Sequence, residues 1–432
     1  MNITSVKARE ILSSGAVPSL EVKAMLSDGS MGVASVPFGA SAGIHEAFVL
    51  LDHDKKRFMG NGMLKAINNI NKVIAPKLKG KDAAKQIDID NLMKKLDGTP
   101  NKSRLGANAI LGASMAVAKA AAASKKIPLY AYIRKAFGLP IRVWTLPNPM
   151  MVVIEGGKHA DNSTDLQEYM ITPYGRRSAR ENVRMGIEVY FHIRKVLKSE
   201  GYNTNVGNEG AFAPVGLQTN ETPLRIILEG IMRSGYKPGK DVGISLDPAV
   251  SEIFEEGRYI LKKENKKLTS KEMVAYLEGW IKKYPAIVTL EDGLAEDDWE
   301  HWPLLNKAMG KRVAIVTDDL TVTNPERLQR AIDTACGNAI LIKLNQIGTL
   351  SETVETCMLA RKHGWITIVS HRGGGETNDT SMVDVAVAVN AAAIKVGPSR
   401  GERVCKYNRL MEIEEELGKK ATAAGKGFRR IT

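Results

Sequence analysis

Residues 286–293, AIVTLEDG, carry the pattern that decides the fold: a short apolar run, Ile287 to Leu290, that ends in an acid, Glu291. A short apolar run bounded by turn residues reads as a strand buried on both faces. The pattern recurs on either side. Upstream, Ile244 to Leu246 ends in Asp247. Downstream, Ala314 to Thr317 ends in Asp318, Ile340 to Ile342 in Lys343, Ile366 to Ser370 in His371, and Ala391 to Ile394 in Lys395. Amphipathic stretches separate the runs, which is the rhythm of strand–helix units and predicts a parallel sheet. In an α/β barrel the C-terminal strand ends converge on one face, so the series would gather three carboxylates, two lysines and a histidine around one cavity. A single strand ending in a charge says only that the chain is leaving the core. Six in series, acids first and bases after, favour a site.

Further out the pattern changes. Ser19 to Val36 alternates like an antiparallel hairpin turning at Asp28-Gly29. Leu64 to Ile74 and Leu105 to Ala123 have helical spacing, and the second is Ala-rich enough to pack closely on a neighbour. The prolines of Gly138 to Pro149 predict a linker into a second domain. Apolar residues make up 44% of the 432 and charged ones 25%, a globular composition. Lys and Arg exceed Asp and Glu by 61 − 48 = 13, yet no basic run is interleaved with aromatics, so a nucleic-acid partner is not expected. No apolar stretch is long enough to span a membrane, and the N-terminus shows no secretory h-region, so a cytoplasmic location is expected. Cys336, Cys357 and Cys405 are too scattered for a disulfide framework or a zinc site and read as reduced core thiols.

Three carboxylates without clustered thiols or imidazoles make a hard, oxygen-ligated site, which favours Mg²⁺ over Zn²⁺. A lysine beside such a cation and a second positive side chain would have its pKa lowered and could act as a base. That combination suits removal of a weakly acidic proton next to a carboxylate, although residue types alone leave phosphate hydrolysis open. Outside the six strand ends, Gly39 to Gly43 with Ser41 is a small-residue loop able to meet an anion or a metal. His159, in Gly156-Gly157-Lys158-His159, follows another apolar run, Met150 to Ile154. Gln167-Glu168 and Glu209 offer further polar groups, and His371-Arg372-Gly373-Gly374-Gly375 sets cations before a glycine loop read as flexible and suited to phosphate.

These residues lie within longer segments that resemble the enolase (phosphopyruvate hydratase) family: GASAGIHEA, LDGTPNKSRLGANAILGASMAVAKA, LQEYM, LEDGLAEDDW, DDLTVTNP, LIKLNQIGTLSET, VSHR and KYNRLMEIEEELG. The resemblance spans essentially the whole chain. It implies an N-terminal α+β domain, residues 1–138, capping an eight-stranded α/β (TIM-like) barrel, residues 139–432, assembled as a homodimer or higher homo-oligomer. It further implies two Mg²⁺ per site, the first on Asp247, Glu291 and Asp318 and the second on Ser41. By the same resemblance Lys343 is the base acting on 2-phosphoglycerate, and Glu209, assisted by Glu168, is the acid that helps hydroxide leave. Lys395 lies near the substrate carboxylate, while His159, His371, Arg372 and Gln167 contact substrate or phosphate.

Several motifs depart from the family. DSRGNPT has become Ser13-Ser14-Gly15-Ala16-Val17-Pro18-Ser19, without its arginine. NGGSH has become Glu155-Gly156-Gly157-Lys158-His159. HRSGETED has become His371 to Asp379, longer by one residue and with Gly373 in place of a hydroxyl donor. The extra glycine would loosen the loop, and Lys158 would add a cation able to meet another negative group. Two readings follow. One is an enolase forming phosphoenolpyruvate. The other is a paralog of the carboxyphosphonoenolpyruvate synthase type, using 2-phosphoglycerate with phosphonoformate in phosphonate biosynthesis. A non-catalytic binding protein fits less well, because every acid and base is retained.

Overall fold

A computed structural model describes residues 1–39, 43–175 and 178–425 of the chain. It opens with a three-stranded antiparallel sheet in the order β1 (Ile3–Leu12), β2 (Pro18–Leu26), β3 (Met31–Val36). The expected hairpin is β2–β3. Its turn is fixed by the Asp28 carboxylate, which accepts from the Ser30 N–H at 2.9 Å, and by Gly29 at φ +84°. The sequence pattern missed β1, whose alternation is blurred by charged residues on its half-exposed face.

The Ala-rich stretch is a helix, Ala107–Ser124, and it does pack closely: a Cβ on Gly32 of β3 would stand 2.2 Å from the Ala116 carbonyl oxygen. The stretch expected as one helix from Leu64 instead widens into a π turn over Ile70–Ile74, just before Pro76, whose ring nitrogen donates no hydrogen bond. The supposed linker is not wholly irregular, since Trp144–Leu146 pairs in parallel with Ala421–Ala423.

Eight strands then close into a barrel: β4 (Asn148–Glu155), β5 (Glu168–Pro173), β6 (Val242–Asp247), β7 (Ile287–Glu291), β8 (Ala314–Thr317), β9 (Ala339–Ile342), β10 (Ile366–Ser370) and β11 (Ala393–Val396). Met150, Val152, Met170, Val288, Val316, Leu341 and Ile368 pack inside it. The expectation of a parallel sheet needs correction at one strand: β5 runs antiparallel to both β4 and β6. The segment between β4 and β5 holds only a 3₁₀ turn, Gly157–His159, and without a crossover helix the chain must return in the opposite direction. The reversal brings Glu168, the first residue of β5, to the end of the barrel where the other strands finish, in register with Glu155 on one side and Asp247 on the other.

The N-terminal sheet and its helix sit against this end. Ser14 N–H donates to the Glu376 carbonyl and Phe38 N–H to that of Gly375, each at 2.8 Å, and Lys119 pairs with Asp379 at 2.7 Å. Among the described residues no helix is long and apolar enough to cross a membrane. Cys336 and Cys357 are buried thiols as expected, whereas Cys405 is only half-buried.

Candidate active site

The barrel mouth encloses a polar cavity of ≈ 460 Å³ lined by His159, Gln167, Glu168, Glu209, Asp247, Asp318, Lys343, His371, Gly373 and Lys395 together with Glu252, Asp292 and Asp319. Most of these side chains arrive from a strand end or the turn beside one, whereas Glu209 comes from the loop between the helices Ala179–Ser199 and Thr222–Arg233. Asp247 and Glu291 close β6 and β7, Asp318 and Lys343 follow β8 and β9, and His371 follows β10. Lys395 departs from expectation in lying within β11 and not after it.

Two lysines organise the acids. The buried Lys395 Nζ lies 2.7 Å from both Asp247 and Glu291 and 2.9 Å from Glu168. Lys343 pairs with Asp318, which also accepts from Gln346 Nε2 at 2.8 Å. Asp247 and Glu291 thus meet at Lys395, while Asp318 lies with Asp292 and Asp319, all three close enough to share one ion. Asp292, at φ +38°, receives the backbone N–H groups of Asp318 and Asp319 at 3.0 Å each.

The charge balance is uneven. Burial, and then the charge of Asp247, raise Glu291 well above the ordinary carboxylate range. Burial and then the Asp319 charge do the same for Asp292, and burial and then the Asp318 charge for Asp319. Asp318 is lowered, because Lys343 and Lys395 outweigh its burial. Lys343 is raised: burial works against its charge, but Asp318 prevails, the opposite of the lowering expected beside a cation. A cation shared by Asp318 would offset the carboxylate charge that keeps Lys343 protonated.

A second group lies across the cavity. His159 Nδ1 stands 3.5 Å from Glu168 and 3.6 Å from Glu209, and His371 Nε2 stands 3.3 Å from Glu209. Burial and the Glu209 charge raise Glu168 well above its ordinary value, whereas Glu209 stays ionised because His371 and His159 outweigh its burial. The two carboxyls are thus pushed in opposite directions, Glu168 toward its neutral form and Glu209 toward its ionised form.

Other expected residues are placed differently. Arg372 is buried on the loop after β10, but its guanidinium pairs with Glu46 at 2.9 Å and it lines a second cavity that shares Ser370 and His371 with the polar one. Lys158 is largely exposed and paired with Glu252 at the rim. The loop read as flexible is packed at every glycine. A Cβ would stand 2.4 Å from Glu209 Oε1 at Gly373 and 2.1 Å from the Phe38 carbonyl at Gly375, and one on Gly15 would stand 2.0 Å from the Gly374 carbonyl. The missing arginine and the longer loop therefore meet in space. Ser41 lies outside the described residues.

The donor set fits a hard divalent cation. Glu168, Asp247, Asp292, Asp318 and Asp319 line the cavity, with Glu291 beside Lys395, and among the described residues Lys343 and Lys395 are the lysines and arginines that line it with them; the raised carboxyls record that surplus of negative charge. Gln167 Oε1, His159 Nε2 and His371 Nδ1 are buried without a hydrogen-bond partner among the described residues, which suits a polar ligand beside the ion.

Comparison with protein-family models matches the enolase N-terminal domain to residues 3–133 and the enolase C-terminal TIM barrel domain to residues 143–432. The chain belongs to the enolase family.

That membership makes it an enolase-superfamily lyase on an enolase fold. The cavity and its surroundings also contain residues that the sequence pattern does not single out. Asp292 and Asp319 follow Glu291 and Asp318 directly, and the acidic doublets at two successive strand ends were the available signal. Glu46 falls within GASAGIHEA, but nothing in that string shows that it meets Arg372. Glu155, buried at the end of β4, follows a run read only for the histidine beyond it.

Proposed function

We propose that this enolase-family chain converts 2-phosphoglycerate to phosphoenolpyruvate with Mg²⁺. The observation that carries the reading is that a lysine, Lys343, and two carboxyls pushed in opposite directions, Glu168 and Glu209, line one cavity with a surplus of carboxylates. Asp247, Glu291 and Asp318 would hold the ion, which supplies the positive charge that the doubly ionised enolate needs. Lys343 Nζ takes the proton from the carbon beside the carboxylate. The electron pair of that C–H bond then forms the double bond as the C–O bond to the hydroxyl breaks, and the hydroxide leaves as water with a proton supplied by the Glu168 and Glu209 pair. Lys395 faces the substrate carboxylate, and the unpartnered atoms of Gln167, His159 and His371 face its oxygens.

The second reading, a paralog joining the same scaffold to phosphonoformate, is supported by Gly373, which offers no hydroxyl to a phosphate. Lys158 counts against it, because its charge is already met by Glu252. Absorbance of the enol product is to be followed with 2-phosphoglycerate and Mg²⁺, with and without phosphonoformate. Growth without the second anion is expected, and turnover only in its presence would establish the paralog. Lys343→Ala should abolish exchange of the α-proton with solvent while circular dichroism stays unchanged. Persistent exchange would remove Lys343 from the base role.

A further inference from the structure

We infer that Glu155 is a positioning residue for Glu209: its buried carboxyl receives the Glu209 backbone N–H and so fixes where the Glu209 side chain stands in the cavity. This rests on the proposed role of Glu209 in hydroxide departure. The Glu209 N–H points between the two Glu155 oxygens, at 3.3 and 3.2 Å, and Glu155 is fully buried. The approach requires glycine at 207, where a Cβ would stand 2.6 Å from Glu155 Cδ.

The same loop is also held by the segment after β11 and by Tyr190 of the helix Ala179–Ser199. Ser399 Oγ and Tyr190 Oη donate to the Gly210 carbonyl at 2.7 and 2.9 Å, and Arg400 Nη2 donates to that of Gly207 at 2.7 Å. Gly397 lies so close to the Glu209 carbonyl that a Cβ would reach 1.9 Å. The loop carrying Glu209 is thus held at several points, and Glu155 is the side-chain partner of the Glu209 amide.

The groups whose charges act on Glu155 are Glu209, Arg403 and Arg400. Burial first, and the Glu209 charge second, push it to about 9, so it holds the amide as a neutral acid and adds no second negative charge beside Glu209. Where the family motif begins with Asn, this chain has the longer side chain of Glu155.

The test uses the full chain with Glu155→Ala, Glu155→Asp and Glu155→Gln, reading hydrogen exchange at the Glu209 amide by NMR. With 2-phosphoglycerate and Mg²⁺, product formation and solvent exchange of the α-proton are measured alongside. Glu155→Ala should reduce Glu209 amide protection by about tenfold or more and slow product formation about ten- to a hundredfold. Its α-proton exchange, which depends on Lys343, should stay near the parent rate, and Glu155→Gln should restore both amide protection and elimination. Should Glu155→Ala fail to fold, Glu155→Asp, which withdraws the carboxyl by one methylene, gives the same test. Undiminished amide protection in Ala or Asp, or elimination and α-proton exchange slowed equally, would overturn the inference. A parent chain inert toward 2-phosphoglycerate would overturn the proposed reaction, while the amide measurement would still decide the contact.

Discussion

A Cβ placed on Gly373 would stand 2.4 Å from Glu209 Oε1 and 2.9 Å from His159 Cε1. In the sequence this position registers only as a lost hydroxyl. In the fold, Glu209 and His159 have taken the space that the hydroxyl would need. Gly373→Ser is therefore expected to displace the acid it touches and to lower kcat, by up to about a hundredfold if the shift approaches an ångström. Steady-state kinetics would show this, and an improved kcat would mean that the two neighbours yield. The first acid or base at each of the six strand ends was legible, because an apolar run that stops at a charge is a one-dimensional signal. Pairings such as Arg372 with Glu46 were not, since the partners are far apart in the chain.

At the level of elements, the barrel was visible as repeated apolar runs, but the reversal of β5 was not. A buried strand reads the same in either direction, and only the helix-free connection before it distinguishes the two. Glu168 consequently looked like an isolated acid when it is a strand-end residue like the others. A different acid joins two helices. Asp90, on the helix Gln86–Asp97, accepts from Ser351 N–H at 2.9 Å and Ser351 Oγ at 2.6 Å, at the start of the helix Leu350–Lys362. Burial raises Asp90 from 3.8 to about 6. The unfolded chain therefore ionises first as pH rises, and folding must then accommodate a buried charge. Its protonated form favours folding below the unfolded value, and that advantage fades as pH climbs through the folded one. Relative to Asp90→Asn, the parent should lose up to about 3 kcal/mol between roughly pH 4 and pH 6. Urea unfolding of both proteins across that range would reveal it, and a constant difference would contradict it.

For the whole molecule, the net charge of +13 gave no guide to partners, because the charges that define the cavity are buried and mostly negative. Lys395 shows how they bear on global stability. It is the shared cation of Glu168, Asp247 and Glu291, and Lys395→Met would leave those carboxylates without it. Metal-free protein should lose about 3–5 kcal/mol, seen as a lower Tm, and saturating Mg²⁺ should recover most of that loss. A Tm insensitive to the substitution would show that the carboxylates are neutralised by protons alone. The division into an N-terminal α+β region and a barrel was legible from the change in periodicity. The docking of one on the other was not, because its backbone contacts, Ser14 to Glu376 and Phe38 to Gly375, leave no mark on side-chain pattern.

The close approach of Gly15 to the Gly374 carbonyl couples two positions far apart in the chain. A side chain at position 15 and the glycine loop at 373–375 compete for one volume, so substitutions at the two should be strongly non-additive. An arginine placed at position 15 alone would collide with the loop, and only a simultaneous change in the loop would make room for it.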